Sequence, residues 1–185
     1  MADPLTLPHD WFPRQLPPNV EIGLRSWLDG SYAFLHCRSG RPCAVRIGHD
    51  SGVYIGTLFE LGPTSEVEIG NFCTVVGAII RTDRRVVIED YALVSHEVVI
   101  ADTFAAVPPE EGCDDSGLGC PPLSVAIRRN AWVGARAVLL GGADIGAGAI
   151  VGAGAVVDFP VPAFSIVAGN PARVVGSTRP RERAS

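Results

Sequence analysis

Four histidines, His9, His36, His49 and His96, are the side chains here best suited to moving a proton near neutral pH. Only His96 lies inside a regular pattern. In Val94-Ser95-His96-Glu97-Val98-Val99-Ile100 it stands two residues after one aliphatic, which puts it at a corner and facing outward. A general base so placed could take the proton of a hydroxyl or an amine. Glu97 and Asp102 are the carboxylates near it that could orient it or hold an acceptor. Glu97, being adjacent, points the other way on extended chain unless a corner relaxes that rule. His36 and His49 have no partner pattern and read as surface or packing residues. Cysteines 37, 43, 73, 113 and 120 form no C-x-x-C pair, and Cys113 and Cys120 share a polar loop. With no secretory signal at the N-terminus, they read as reduced cytoplasmic thiols.

The elements that must position His96 are set by a period of six. Over 127–157 a bulky aliphatic recurs at Ile127, Val133, Leu139, Ile145, Val151 and Val157. Alanine follows four places later at Ala131, Ala137, Ala143, Ala149 and Ala155, and glycine directly at Gly134, Gly146 and Gly152. Six is a multiple of two, so on extended chain these aliphatics share one side; it does not fit 3.6, which excludes an amphipathic helix. Each unit makes one short strand and a corner, and three units close a triangular coil. The fold class is therefore all-β, a parallel β-helix of hexapeptide repeats.

The repeat resembles the hexapeptide-repeat acyltransferases, which fold as left-handed parallel β-helices. The resemblance is carried by Asn130-Ala131-Trp132-Val133-Gly134-Ala135, then Val151 to Val157, then Gly169-Asn170-Pro171-Ala172-Arg173-Val174. These runs are closest to the sugar, xenobiotic and serine O-acetyltransferase branch. Left-handedness is what the resemblance implies; general rules for crossovers favour the right hand. The segment around His96 is similar to the I-A-H-x-x-x-[IV] coil of the acyltransferases that build lipid A, which implies that His96 is the catalytic base.

The resemblance further implies an acyl coenzyme A, most simply acetyl-CoA, as co-substrate, no metal, a homotrimer, and transfer to a hydroxyl or amino group of a sugar or small metabolite. It puts Trp132, Gly134, Ala135, Gly152 and Ala153 on the coenzyme's path, with main-chain groups of Ala135 and Ala153 on the pantetheine arm. Arg173 matches a basic position able to meet the coenzyme's phosphates, with Arg128 and Arg129 as alternatives. Two positions depart from the maltose-type enzymes: Gly77 stands where they carry an active-site asparagine, and Ala105 where they carry the histidine. A catalytically diverged scaffold, or a different reaction such as cyclisation or isomerisation, is the competing expectation. A zinc site of the γ-carbonic-anhydrase kind needs three histidines across neighbouring coils, and His96 has no such companions.

Taking three hexads per coil, Val94, Ile127 and Ile145 share one face, and Ile100, Val133 and Val151 the next. His96 is then expected in a column with Arg129 and Ala147, and Asp102, the candidate acceptor contact, in a column with Ala135 and Ala153. Residues 1–18 read as an irregular cap, 19–175 as the β-helix and 176–185 as a polar tail. Val107 to Ser124, rich in Pro, Gly, Asp and Glu, reads as a loop expelled from the coil. The 185 residues suit one domain, and 47% hydrophobic residues suffice for a continuous core. A net charge of −5 with no long basic run argues against nucleic acid, and no apolar run reaches membrane-spanning length.

Overall fold

A computed structural model describes residues 6–12, 14–102 and 124–179. Its strands stack into three parallel sheets, the faces of a triangular prism. The first face holds Val20–Ile22, Val45–Ile47, Glu66–Ile69, Arg85–Ile88, Val125–Ile127, Asp144–Ile145 and Pro160–Val161. The second holds Trp27–Leu28, Gly52–Tyr54, Thr74–Val76, Leu93–Val94, Trp132–Val133, Ile150–Val151 and Ser165–Ala168. The third holds Leu58–Leu61, Ile79–Thr82, Val99–Ala101, Val138–Leu140 and Val156–Val157. Successive strands along the chain visit the faces in turn, so each pairs with a strand one coil away.

The period of six does what its arithmetic requires. Ile47, Ile69, Ile88, Ile127 and Ile145 stack residue on residue inside the first face. Val53, Val75, Val94, Val133 and Val151 do so inside the second, and Phe59, Ile80, Ile100, Leu139 and Val157 inside the third. All these side chains are buried. The alanines four places on turn inward at the corners, where Ala131, Ala137, Ala143, Ala149 and Ala155 are buried and nothing larger than a methyl is called for. Turning the chain needs a left-handed residue at the corner. Glu97, Arg136 and Gly154 supply it between the second and third faces, at φ +57°, +60° and +68°.

Two expectations are corrected. The antiparallel strand Arg173–Ser177 pairs with Ser165–Ala168, so order extends two residues into the stretch read as tail. Ser177 and Thr178 hydroxyls both donate to the Phe164 carbonyl, holding this strand down. The closed end of the prism also uses more than the first 18 residues. The first coil has no third-face strand; in its place the 3-10 helix Ser31–Phe34 stacks Phe34 on Phe59, rings 4.9 Å apart, with Leu16 buried in the same core. The Asp10 carboxylate accepts from the Ser31 N–H at 2.6 Å and ties the preceding segment to that helix. Among the described residues, no helix is long and apolar enough to cross a membrane.

The stacked aliphatics should carry the stability. Ile127→Ala removes a fully buried side chain between two coils and should cost about 2–5 kcal/mol in urea unfolding. Trp132→Ala, which removes a half-exposed ring on the outside of the second face, should cost far less.

Candidate functional site

His96 is exposed at the corner between the second and third faces, as its place two residues after Val94 requires. The column it occupies differs from the expected one. Val94 pairs with Val133, and Val133 with Val151, so His96 stacks with Ala135 and Ala153, not with Arg129 and Ala147. Main-chain bonds confirm the register: the Arg136 N–H donates to the His96 carbonyl at 2.9 Å, and the Gly154 N–H to the Ala135 carbonyl at 2.9 Å. The expected columns put Ile127 on the face of Val94, two faces past Ile100. Ile100 and Ile127 are 27 residues apart, yet Ile100 closes the third face and Ile127 opens the first, a step that needs only six. Positions 103–123, with Ala105, Cys113, Cys120 and most of the expected loop, lie outside the described residues.

The correction joins two predicted sets of residues on one edge. His96, Ala135 and Ala153 rise along it at roughly 4.8 Å per coil. Their own main-chain N–H groups have no backbone acceptor among the described residues, whereas the flanking Gly134 and Gly152 N–H groups donate to Val151 and Val167. The edge therefore presents a line of main-chain donors that no backbone carbonyl takes up, beside an imidazole. Such groups can hold carbonyl oxygens, including one that gains negative charge during a reaction. Below His96 the corner is one residue shorter, because Val75 reaches Ile80 in five residues where Val94 reaches Ile100 in six. Gly77 forms that corner at φ +58° and accepts from the Glu97 N–H at 3.1 Å.

The other candidates fall in several places. Glu97 pairs with Arg136 at 2.6 Å on the surface, and that guanidinium lowers its pKa. Trp132 is half-exposed on the second face between Leu93 and Ile150. Gly134 and Gly152 lack side chains for a packing reason: a Cβ on Gly134 would stand 2.7 Å from the Ala153 nitrogen, and one on Gly152 3.2 Å from the Ala168 Cβ. Arg173 pairs in register with Ala168, just before the Gly169 turn that tops this edge, and its Nη1 donates to the Ala172 carbonyl. Arg128 and Arg129 are not beside the histidine column; they lie at the corner between the first and second faces. Arg128 is clamped by Asp144 at 2.6 Å and Glu89 at 3.0 Å, which raise its pKa, and Arg129 pairs with Asp90 at 3.2 Å.

Asp102 also belongs to another corner, between the third and first faces, so it does not stack with Ala135 and Ala153. It is 3% exposed, accepts from the Thr82 hydroxyl and from the Asp83 N–H at 3.0 Å, and so fastens the turn below it. Burial pushes its carboxyl pKa up, against the pull of those donors. His49 reads as foreseen, bonded to Asp50 and set edge-on to Phe72. Cys37 and Cys73 are free thiols whose pKa values are raised by burial.

One feature of this edge has no mark in the repeat pattern. Two coils below His96, Trp11, Asp29, Tyr32, Tyr54, Ile55 and Thr57 line a groove of about 420 Å³. The signal was there only as scattered aromatics in a stretch with loose periodicity.

Gly134→Ala should destabilise the fold by more than 1 kcal/mol in denaturant unfolding, since backbone must move to admit the methyl. Asp102→Ala should cost about 1–3 kcal/mol by stranding its donors, and Asp102→Asn less. The folded carboxyl titrates above its unfolded value. Its contribution is therefore most favourable below about pH 4 and declines as pH rises through the folded pKa. Wild type should lose stability relative to Asp102→Asn across that rise, read from urea midpoints at a series of pH values.

Comparison with known proteins adds to this geometry. Residues 124–158 match the model of the bacterial transferase hexapeptide (six repeats). No curated protein matches the chain. Among solved structures, a hexapeptide-repeat acetyltransferase from Vibrio cholerae, complexed with acetyl coenzyme A, is 22% identical, with a TM-score of 0.58 over 72% of this chain and 71% of that one. A variant of AntD, an N-acyltransferase from Bacillus cereus in complex with dTDP and coenzyme A, is 17% identical, with a TM-score of 0.61 over 86% and 84%. A hexapeptide transferase family protein from Anaplasma phagocytophilum is 15% identical, with a TM-score of 0.57 over 85% and 78%. Identities this low speak to fold. Matched repeat, coil register and structural likeness agree: the chain carries hexapeptide repeats over 124–158 and folds as a left-handed parallel β-helix.

Proposed function

We propose that the protein is an acyl-CoA-dependent acyltransferase, most simply an acetyltransferase, acting on a hydroxyl or amino group of a sugar or other small metabolite. The observation that carries this reading is the shared edge: an exposed imidazole in line with N–H groups at His96, Ala135 and Ala153 that no backbone carbonyl takes up. Structural neighbours solved with acetyl coenzyme A or coenzyme A support the same co-substrate. The chain's own groups fit it. The N–H line at Ala135 and Ala153 suits the amide carbonyls of a pantetheine arm, and Arg173, at the top of the edge, suits its phosphates. Acyl-CoA supplies the activated acyl group. His96 takes the acceptor's proton as the acceptor oxygen or nitrogen bonds to the acyl carbon. The thioester C–S bond breaks, the proton passes from His96 to the departing sulfur, and N–H groups of the edge hold the carbonyl oxygen as it gains charge.

The distribution of surface residues supports a homotrimer with this edge inside an interface. The first face carries ion pairs, Glu21–Arg46, Arg41–Glu66, Arg85–Glu68 and Arg128–Asp144 among them, which suit solvent. The other two carry outward apolar rows on either side of His96: Leu93, Trp132, Ile150 and Ile166 on one, Leu58, Ile79, Val99, Val138 and Val156 on the other. Contiguous apolar rows are covered in stable proteins, and two different faces meeting head to tail close a ring of three. Reduced thiols at Cys37, Cys43 and Cys73 fit a cytoplasmic setting.

His96→Ala should lower acetyl transfer by roughly 10²–10⁴-fold with the melting temperature and sedimentation of the assembly unchanged. Unchanged turnover dismisses this base. The absent side chain at Gly77 favours the rival reading of a diverged binding scaffold; that reading gains if no acyl-CoA, at millimolar concentration, shifts the melting temperature.

A further inference from the structure

The groove below His96 has the chemistry of a binding site. Its walls are Trp11, Tyr32 and Tyr54, 71%, 42% and 41% exposed, rings whose large apolar surfaces are open to solvent. The Trp11 and Tyr32 rings lie 6.1 Å apart and Phe12 packs edge-on to Tyr32, so these rings are held by their neighbours. The Tyr54 ring folds flat over the backbone of Gly52, where an added Cβ would stand 2.4 Å from its Cε2. Glycine at that position is what lets the ring lie there. Thr57, 3% exposed, also lines the groove, and its hydroxyl has no hydrogen-bond partner among the described residues.

Charge narrows the partner. Among the described residues, the groove is lined by one carboxylate, Asp29, and by no lysine, arginine or histidine. Phosphates, carboxylates and sulfates are disfavoured there. Aromatic faces beside a carboxylate attract a cation, above all one whose methyl groups spread its charge over apolar surface. We infer that this groove binds an organic cation, an alkylated amine whose ammonium sits against Asp29 over the Trp11, Tyr32 and Tyr54 rings. As a binding site it stands alone. As the acceptor's site it rests on the acyl-transfer reading: the groove and His96 share one edge, two coils or roughly 10 Å apart. A small metabolite anchored by its ammonium in the groove would then reach His96 with a hydroxyl or second amine.

The test is titration of the full chain with a short alkyltrimethylammonium salt, choline, followed by calorimetry and tryptophan fluorescence. Expected is saturable binding that weakens on the order of tenfold in Trp11→Ala and in Asp29→Asn, both surface changes outside the core. Gly52→Ala, which displaces the Tyr54 ring, should weaken it as well. Methyl glucoside and inorganic phosphate should not compete. Absence of saturable binding at tens of millimolar overturns the proposal, as does binding that both variants leave unchanged or that methyl glucoside matches. His96→Ala separates the two readings. Choline binding intact with turnover unaffected by that change keeps this site and removes the acyl-transfer role of the histidine; lost turnover without choline binding does the reverse.

Discussion

Every structural feature of this protein depends on the stacking of an inward aliphatic upon its counterpart one coil away. In a parallel ladder each rung's N–H and C=O groups bond to the next rung, so the backbone is satisfied only while the register holds. A slip of one residue along any strand would turn Ile127 or Val133 out to solvent and bring Arg128 or Gly134 inward. Packing and hydrogen bonding therefore enforce the same register, and together they fix where each corner falls.

That constraint leaves little of the chain free for chemistry. Inward positions are taken by Ile, Val, Leu and Phe, and the inward corner positions by alanine or other small residues. Outward strand positions serve salt ladders or apolar rows. What remains are the outward corner residues, whose main-chain N–H groups no rung needs and whose side chains no neighbour confines. His96, Ala135 and Ala153 are such residues, and so is Ile55 at the lip of the groove below them. An edge of the prism is thus a continuous track, running here from an aromatic groove at the N-terminal coils past a lone imidazole to the Gly169 turn and Arg173.

Much of this was legible in the sequence because a six-residue period is stated by side-chain types themselves. The fold, the inward set from 127 to 157, and the exposed corner position of His96 all follow from counting. The column assignments did not, because the six-residue pattern is interrupted across 101–124 and the side-chain types do not state on which face it resumes. Putting Ile127 on the face of Val94, two faces past Ile100 instead of one, paired His96 with Arg129, when it stacks with Ala135. Asp102 moved for the same reason, from a position near the coenzyme's expected path to a buried brace above Thr82 and Asp83. The helix Ser31–Phe34 was invisible for a different reason: closing an end calls for one ring on another, Phe34 on Phe59, and that has no period. Gly134 and Gly152, expected on the coenzyme's path, also leave room for the next coil.

The most direct test of the account is an amide-resolved NMR titration with acetyl coenzyme A. If one edge holds the thioester arm, the amide resonances of His96, Ala135 and Ala153 should move together and saturate at one ligand concentration, while those of Arg129 and Asp102 stay in place. Shifts confined to the Arg129 or Asp102 corners, with the three edge amides unmoved, would contradict it.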